Sequence, residues 1–241
     1  MNASAPGRFS DTQPPAPGFG NPLDHLKAKL DQVWQDSRPL SDTSADCPAR
    51  RYLAGSGVDP AALADVRYHP ALDYWQNVPG ASPTSAGRFP ALVAAYRLDH
   101  TAPWLRDTIS EPEICKLVQV YLTPSGRLAD LAKPVKHSPT LRTSQGAAVR
   151  LAAPAMLNGT LTLGLAVGII NAARTMAATG LPVWAIQEAG ALAGFRWPRP
   201  LDRLLIYTDQ ARSTSAQILN NRATACGLEV QFLEPPRPGI R

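Results

Sequence analysis

The stretch LTLGLAVGIINAARTMAATGLPVWAI, residues 161–186, decides the fold of the C-terminal third of the chain. Its first apolar run, 161–167, predicts a buried strand, and Gly168 then opens a helix over 169–178. A Thr-Gly pair ends that helix, and the second apolar run, 181–186, predicts another buried strand. A strand, a helix and a strand in this order are typical of parallel strands joined by a crossover helix.

The same alternation continues toward the C-terminus. The segment DRLLIYT, 202–208, predicts a third strand, a helix follows over 213–226, and 228–233 predicts a fourth strand. Short apolar strands that alternate with helices predict an α/β domain built on a parallel sheet with helices on both faces. Because ligands of such sheets bind at the carboxyl ends of the strands, the positions to inspect follow Val167, Ile186 and Thr208.

The preceding residues predict a smaller α+β domain and a flexible tail. Residues 1–20 are rich in proline and glycine and hold too few large apolar side chains to offset the entropy of ordering them. We therefore predict three parts: a flexible tail over 1–20, an α+β domain over 21–155 and the parallel-sheet domain over 156–241. The elements predicted in the α+β domain are helices over 21–34 and 48–55, a third helix after Asp59-Pro60, strands over 89–97, 116–123 and 148–152, and a basic, irregular segment over 127–147.

The composition narrows the classes of function. The chain has 241 residues and a net charge of +5, which suits a polyanionic partner. Its three cysteines are far apart in the sequence, so they form no CxxC pair and no four-ligand zinc site. The N-terminus lacks a secretory signal pattern, and the uncharged apolar run 161–173 is shorter than the roughly 20 residues that span a bilayer. These features predict a cytoplasmic protein without membrane contact.

Several segments, taken together, resemble a known family. The run GLAVGIINAARTMAATGLPVWAI followed by LLIYTDQARSTSAQ resembles a Toprim domain, a Rossmann-like βαβ sheet. With the preceding segments, the order resembles the Toprim-containing, DNA primase-like proteins of phages and conjugative mobile elements. The resemblance covers about residues 24–236, and its preceding segments are PARRYLAGSGVDPAALADVRYHP, FPALVAAYR, VQVYLTPSGR and GAAVRLAAP.

The resemblance implies a magnesium site that this sequence does not preserve. A Toprim site is similar to other phosphoryl-transfer sites, with a glutamate and a second acidic residue after the first strand and Asp-x-Asp after the third. Here Val167 and Ile170 stand at the first two positions, and the third-strand pair reads Asp209 and Ala211. Three of the four carboxylates are missing, so we predict a catalytically degenerate Toprim domain with no catalytic residue and no cofactor.

Basic residues suggest a surface for nucleic acid. Within 127–150 the positive charges outnumber the single acidic residue, so the segment can track a phosphate backbone or form a solvated loop. Two arginines of the second predicted helix offer a further contact or lie on the surface. The candidate DNA-binding residues, for a single strand or a primer–template, are Lys133, Lys136, Arg142, Arg150, Arg50 and Arg51.

Two alternative functions stay open. One is an active DNA primase or nuclease in which Glu188 and Asp209 form a displaced pair that holds Mg²⁺ through waters. Against this, Glu188 can begin a helix, and Asp209 can cap the helix near Ser213. The other alternative is an inhibitor module that binds a protein of a replication or defence system and no nucleic acid.

Overall fold

The computed structural model describes residues 21–55, 57, 59–76, 82–98, 113–141 and 144–236. The tail predicted over 1–20 and the candidate Arg142 lie outside the described residues. The helices are α1 (Pro22–Gln35), α2 (Pro48–Ala54), α3 (Ile169–Thr179) and α4 (Thr214–Ala225). The strands are β1 (Arg38–Pro39), β2 (Val66–Gln76), β3 (Thr84–Leu98), β4 (Glu113–Tyr121), β5 (Val135–His137), β6 (Val149–Arg150), β7 (Ala155–Leu157), β8 (Thr160–Val167), β9 (Val183–Ile186), β10 (Arg203–Tyr207) and β11 (Glu229–Leu233).

The N-terminal sheet contains five antiparallel strands in the order β1–β2–β3–β4–β5. Alternate side chains of β3 enter two different cores, because successive residues of a strand point to opposite faces. Leu92 and Tyr96 pack on the face toward the C-terminal domain, and Val93 packs on the face that α1 covers with Leu30 and Trp34. Both faces of this sheet are therefore buried.

The helix predicted after Asp59-Pro60 is wrong. The segment forms only a single 3₁₀ turn, Pro60–Ala62, in which the Ala61 N–H donates to the Asp59 carboxylate at 3.0 Å. The chain then enters β2, which the sequence pattern did not predict. Its pairing with β3 shifts register between His69 and Leu72, so the alternation of apolar residues is interrupted there.

The C-terminal sheet has the order β11–β10–β8–β9–β6, with β7 paired to the first residues of β8. The pairings among β11, β10, β8 and β9 are parallel, which confirms the predicted Toprim-like parallel sheet. The short strands β6 and β7 add antiparallel edges. The strand predicted over 148–152 thus exists as β6, and it pairs with β9 of this second sheet.

The crossover helices cover the two faces of the parallel sheet. Ala172 and Ala173 of α3 pack in the same core as side chains of the N-terminal sheet. Leu219 and Ala223 of α4 pack in a separate core on the other face, with Leu163 of β8. Consequently α3 lies between the two sheets, and its N-terminal end faces β3, β4 and β5.

Candidate nucleic-acid interface

The carboxyl ends of the central parallel strands lie level with one another. In the register of the sheet, Ala166 of β8 is opposite Tyr207 of β10, and Val167 is opposite Ile186 of β9. Gly168 follows with φ of 80°, a conformation open to glycine, and its N–H donates to the Ile186 carbonyl at 2.8 Å. This turn starts α3 directly at the sheet edge where a Toprim site is expected.

Apolar side chains fill most of the positions where the resemblance implies carboxylates. Val167, Ile170 and Ala211 are half-buried and supply no side-chain oxygen. Asp209 is exposed, and it does not cap α4, because the Ser213 hydroxyl accepts the bond from the Ala216 nitrogen at 3.3 Å. The interpretation of Asp209 as a helix cap is therefore wrong.

The displaced pair of carboxylates is divided between two depressions of the surface. Glu188 follows β9 and precedes the 3₁₀ turn Ala189–Gly194, and its side chain makes no cap bond to that turn. It lines a depression with Gln187, whereas Asp209 lines another with Phe232. The strands that carry them, β9 and β10, flank β8 and so are roughly 10 Å apart.

Among the residues that the structure describes, no cluster of three His, Cys, Asp or Glu side chains could hold a metal. This donor set does not fit the magnesium ion of a Toprim site.

A cleft of about 230 Å³ opens between the N-terminal sheet and the first turn of α3. Its floor is apolar and comes from both domains, and tyrosine, histidine and amide side chains surround it. Its lining residues are Tyr52, Leu92, Tyr96, Val118, Val120, Val135, His137, Gly168, Ile169, Ile170, Asn171 and Gln187.

Lys116 connects the two domains at this cleft. It lies on β4, and its Nζ donates to Oε1 of Gln187, just after β9, at 2.8 Å. Burial first, and the positive charge of Lys116 second, lower the pKa of His137 below its ordinary value. Burial also raises the pKa of the Tyr96 phenol. Both rings are therefore neutral at pH 7 and act as hydrogen-bonding groups.

A second depression continues the cleft along the carboxyl edge of the parallel sheet. It has a volume of about 360 Å³ and shares Tyr96 and Gln187 with the cleft, and it adds Gln145 and Glu188. We call the cleft and this depression together the central groove. The groove runs past the ends of β8 and β9, where the parallel-sheet rule places ligands.

Two of the predicted DNA-binding arginines are engaged inside the fold. Arg50 donates to the carbonyls of Leu40 and Thr43 at 3.3 and 3.2 Å, and it lies 3.7 Å from the Asp59 carboxylate. The guanidinium of Arg150 lies 4.9 Å from the centre of the Trp184 ring. These contacts hold loops and strands together, so neither side chain extends toward the groove as a free cation.

The remaining candidates lie at the surface. Lys133 is exposed, and Arg51 pairs with the exposed Asp46 at 2.5 Å. On β5, Val135 and His137 line the cleft, while Lys136 between them contacts the Trp75 carbonyl and lies 3.8 Å over the Tyr74 ring. Lys133 and Lys136 therefore lie outside the groove, on the other side of the edge strand β5.

Sequence reasoning missed the polar residues of the groove. Lys116 carried a signal, since it is a charged residue at the start of an apolar predicted strand. Tyr96, Asn171 and Gln187 carried none, because they come from β3, α3 and the loop after β9 and meet only in the folded chain.

The class of the C-terminal domain follows from its fold and from a profile match: a Toprim domain profile matches residues 162–239. The preceding residues 24–151 match the family described as "Domain of unknown function (DUF7146)", and since this match spans more than half of the chain, the chain belongs to that family.

Among solved structures, the chain is similar to the crystal structure of the Aquifex aeolicus primase with its zinc-binding and RNA polymerase domains. The sequence identity is 14% and the TM-score is 0.46, with 90% of this chain and 56% of that chain covered. This chain thus spans little more than half the length of that primase chain. No curated protein matches. In the described residues, none of the helices combines the length and apolar character needed to cross a membrane.

Proposed function

We propose that the chain binds single-stranded nucleic acid along the central groove and does not catalyse metal-dependent phosphoryl transfer. The Toprim domain indicates a function related to nucleic acids. The observation that carries the proposal is the position of the groove, which runs past the carboxyl ends of β8 and β9 while Val167 and Ile170 replace the expected carboxylates there. We keep a mobile-element origin and a cytoplasmic location as predictions from the sequence.

Positive charges beside the groove support a phosphate backbone as the partner. Lys116 reaches the groove from β4. Arg174 is exposed on α3 and acts electrostatically on Tyr52, a lining residue of the cleft. Arg51 adds exposed charge, and its pair with Asp46 is at the surface, where such pairs contribute little to stability. Affinity for a single strand should therefore depend strongly on salt.

Charge reversal next to the groove tests the binding proposal. We expect Arg174→Glu to weaken binding of a fluorescent single-stranded oligonucleotide, measured by anisotropy over a salt series. The variant should reduce the slope of log affinity against log salt by about 0.7, the value for one phosphate contact on a single strand. The matched control is Lys29→Glu on α1, which covers the opposite face of the N-terminal sheet; the Lys29 Nζ lies 5.6 Å from the centre of the Trp75 ring. An equal loss in the control would contradict binding at the groove.

Two other results would replace the proposal with the alternatives. If the chain binds no oligonucleotide even at low salt, the protein-interaction module becomes the better interpretation. Primer synthesis or strand cleavage with Mg²⁺ or Mn²⁺ that Asp209→Ala abolishes would establish the displaced-ligand enzyme. A retained basal rate in Asp209→Ala would instead point to a contaminating activity.

A further inference from the structure

We propose that the cleft between β3, β4, β5 and α3 holds one unstacked nucleobase of the bound strand. This inference rests on the proposed binding of single-stranded nucleic acid, and it assigns a ligand to the place where the resemblance implies a metal ion. The cleft takes a flat, neutral ring instead of a cation.

The floor of the cleft selects against charged groups. Leu92 and Val118 of the N-terminal sheet are buried, and Ile170 of α3 contributes to the floor from the other domain. An ion or a phosphate loses hydration on such a surface and gains no compensating bond, whereas the faces of a nucleobase gain from contact with apolar and aromatic side chains. Ile170 stands at a position where the resemblance implies a carboxylate. Isoleucine there supplies no ligand for a cation, and it completes the apolar floor.

Tyr96 contributes a neutral phenol to the cleft. The residue is only 4% exposed and lines the cleft, and burial raises the pKa of its phenol, so the hydroxyl keeps its proton at pH 7. A phenol hydroxyl both donates and accepts hydrogen bonds. A base edge that enters the cleft can therefore bond to it.

The amide side chains offer both a donor and an acceptor. Nδ2 of Asn171 donates to the Val167 carbonyl at 3.0 Å, which leaves its Oδ1 as an acceptor. Oε1 of Gln187 accepts from Lys116, which leaves its Nε2 as a donor. Nucleobase edges carry donors and acceptors side by side, while a phosphate carries acceptors only. The mixed polarity of the cleft therefore matches a base better than a phosphate.

The size of the cleft limits the ligand to one ring system. Its volume of about 230 Å³ is smaller than the roughly 300–1,000 Å³ of sites for drug-sized ligands. A duplex does not fit, and a base reaches such a pocket only from a single strand or after leaving its stack. The backbone on either side of that base would follow the groove.

The inference is tested with an abasic oligonucleotide and the same oligonucleotide carrying one 2-aminopurine at its centre. We expect the single base to raise affinity by about 5- to 150-fold, the range for one base stacked on a protein. Tyr96→Phe keeps the ring and removes only the hydroxyl, and it should reduce that gain by about 2- to 10-fold. Both effects are measured by anisotropy, and 2-aminopurine emission reports whether the base leaves its solution environment.

A charge on the floor gives a second, independent variant. Ile170→Asp should abolish the gain from the base, whereas the same change at Ile218, 43% exposed on α4 across the parallel sheet, should leave it intact. If the abasic and base-containing strands bind equally and with the same salt slope, the base pocket is wrong and groove binding stands. If neither strand nor an ordinary oligonucleotide binds, the proposed function itself fails.

Discussion

At the scale of single residues, buried charge in this protein serves the fold. Nε of Arg97 lies 2.8 Å from Oδ1 of Asp65, and both side chains are largely buried. Burial raises the pKa of the Asp65 carboxyl, against the opposing effect of Arg97 first and of Arg150 after it. Asp65 immediately precedes β2, Arg97 lies near the end of β3 and Arg150 belongs to β6, so the three residues join the two sheets. Arg150 was predicted as a DNA contact because the sequence does not show whether a basic residue lies in a loop or in a core.

His69 gives a prediction of pH dependence. Its Nδ1 accepts a hydrogen bond from the Ala71 nitrogen at 3.2 Å, at the register shift of β2, and only the neutral ring can accept there. Burial is the largest cause that lowers the pKa of His69 below its usual value near 6.5. A histidine with a depressed pKa contributes stability above pH 6.5, and this contribution is lost as the pH falls through the lower, folded-state pKa.

We therefore expect His69→Asn to reduce the pH dependence of the melting temperature below pH 6.5. Asparagine can accept the same bond from the N–H two residues on, and it does not titrate in this range. Melting temperatures of the wild type and the variant should be similar at pH 7.5, and between pH 7.5 and pH 5 that of the wild type should fall by more than that of the variant. His25→Asn, at an exposed position of α1, is the control. A difference that is the same at both pH values would show that His69 does not titrate in the fold.

At the scale of elements, regular patterns were predictable and interrupted ones were not. The predicted helix after Gly168 and the predicted strands 161–167 and 202–208 agree with α3, β8 and β10 to within a residue or two. The two strands are mostly buried and α3 packs one face on the core, so their apolar patterns are regular. In β2 two register shifts and Pro70 break the alternation, which explains why the strand was missed.

The turn after β4 packs against α2, and this contact gives a prediction. Gly126 has φ of 82°, and a Cβ there would lie 2.6 Å from Cβ of Arg51 and 2.8 Å from the Pro48 carbonyl of α2. Gly126→Ala should cost about 1–3 kcal/mol for the backbone strain and more for the clash. Gly180→Ala is the matched control, because Gly180 also has a positive φ of 70° but a Cβ there meets nothing within 4 Å. Urea denaturation should show a larger loss for Gly126→Ala, and equal losses would mean that the turn does not pack on α2.

At the scale of the whole molecule, one core joins the two domains. Leu92 of β3, Ala172 of α3 and Leu205 of β10 belong to the same buried cluster. Because α3 fills the space between the sheets, removing volume from either side weakens the packing of both. The parts predicted as separate domains should therefore unfold together.

Leu205→Ala tests this coupling. The side chain is 6% exposed, and its truncation should cost about 2–5 kcal/mol. Hydrogen exchange followed by mass spectrometry should show faster exchange in peptides from β3 as well as from β10. Ile218→Ala, on the exposed side of α4, should change neither. Loss of protection confined to β10 would indicate that the two sheets unfold independently.

The sequence by itself determined the parallel sheet, its crossover helices and the apolar residues at the expected carboxylate positions. These features are local, since each depends on the period and identity of neighbouring residues. Only the tertiary structure decided the central groove. Tyr96, Lys116, Ile170 and Gln187 are distant in sequence, and packing α3 between the sheets brings them together. It likewise placed Arg50 and Arg150 inside the fold, because whether a cation faces water depends on what packs over it and not on its neighbours in the chain.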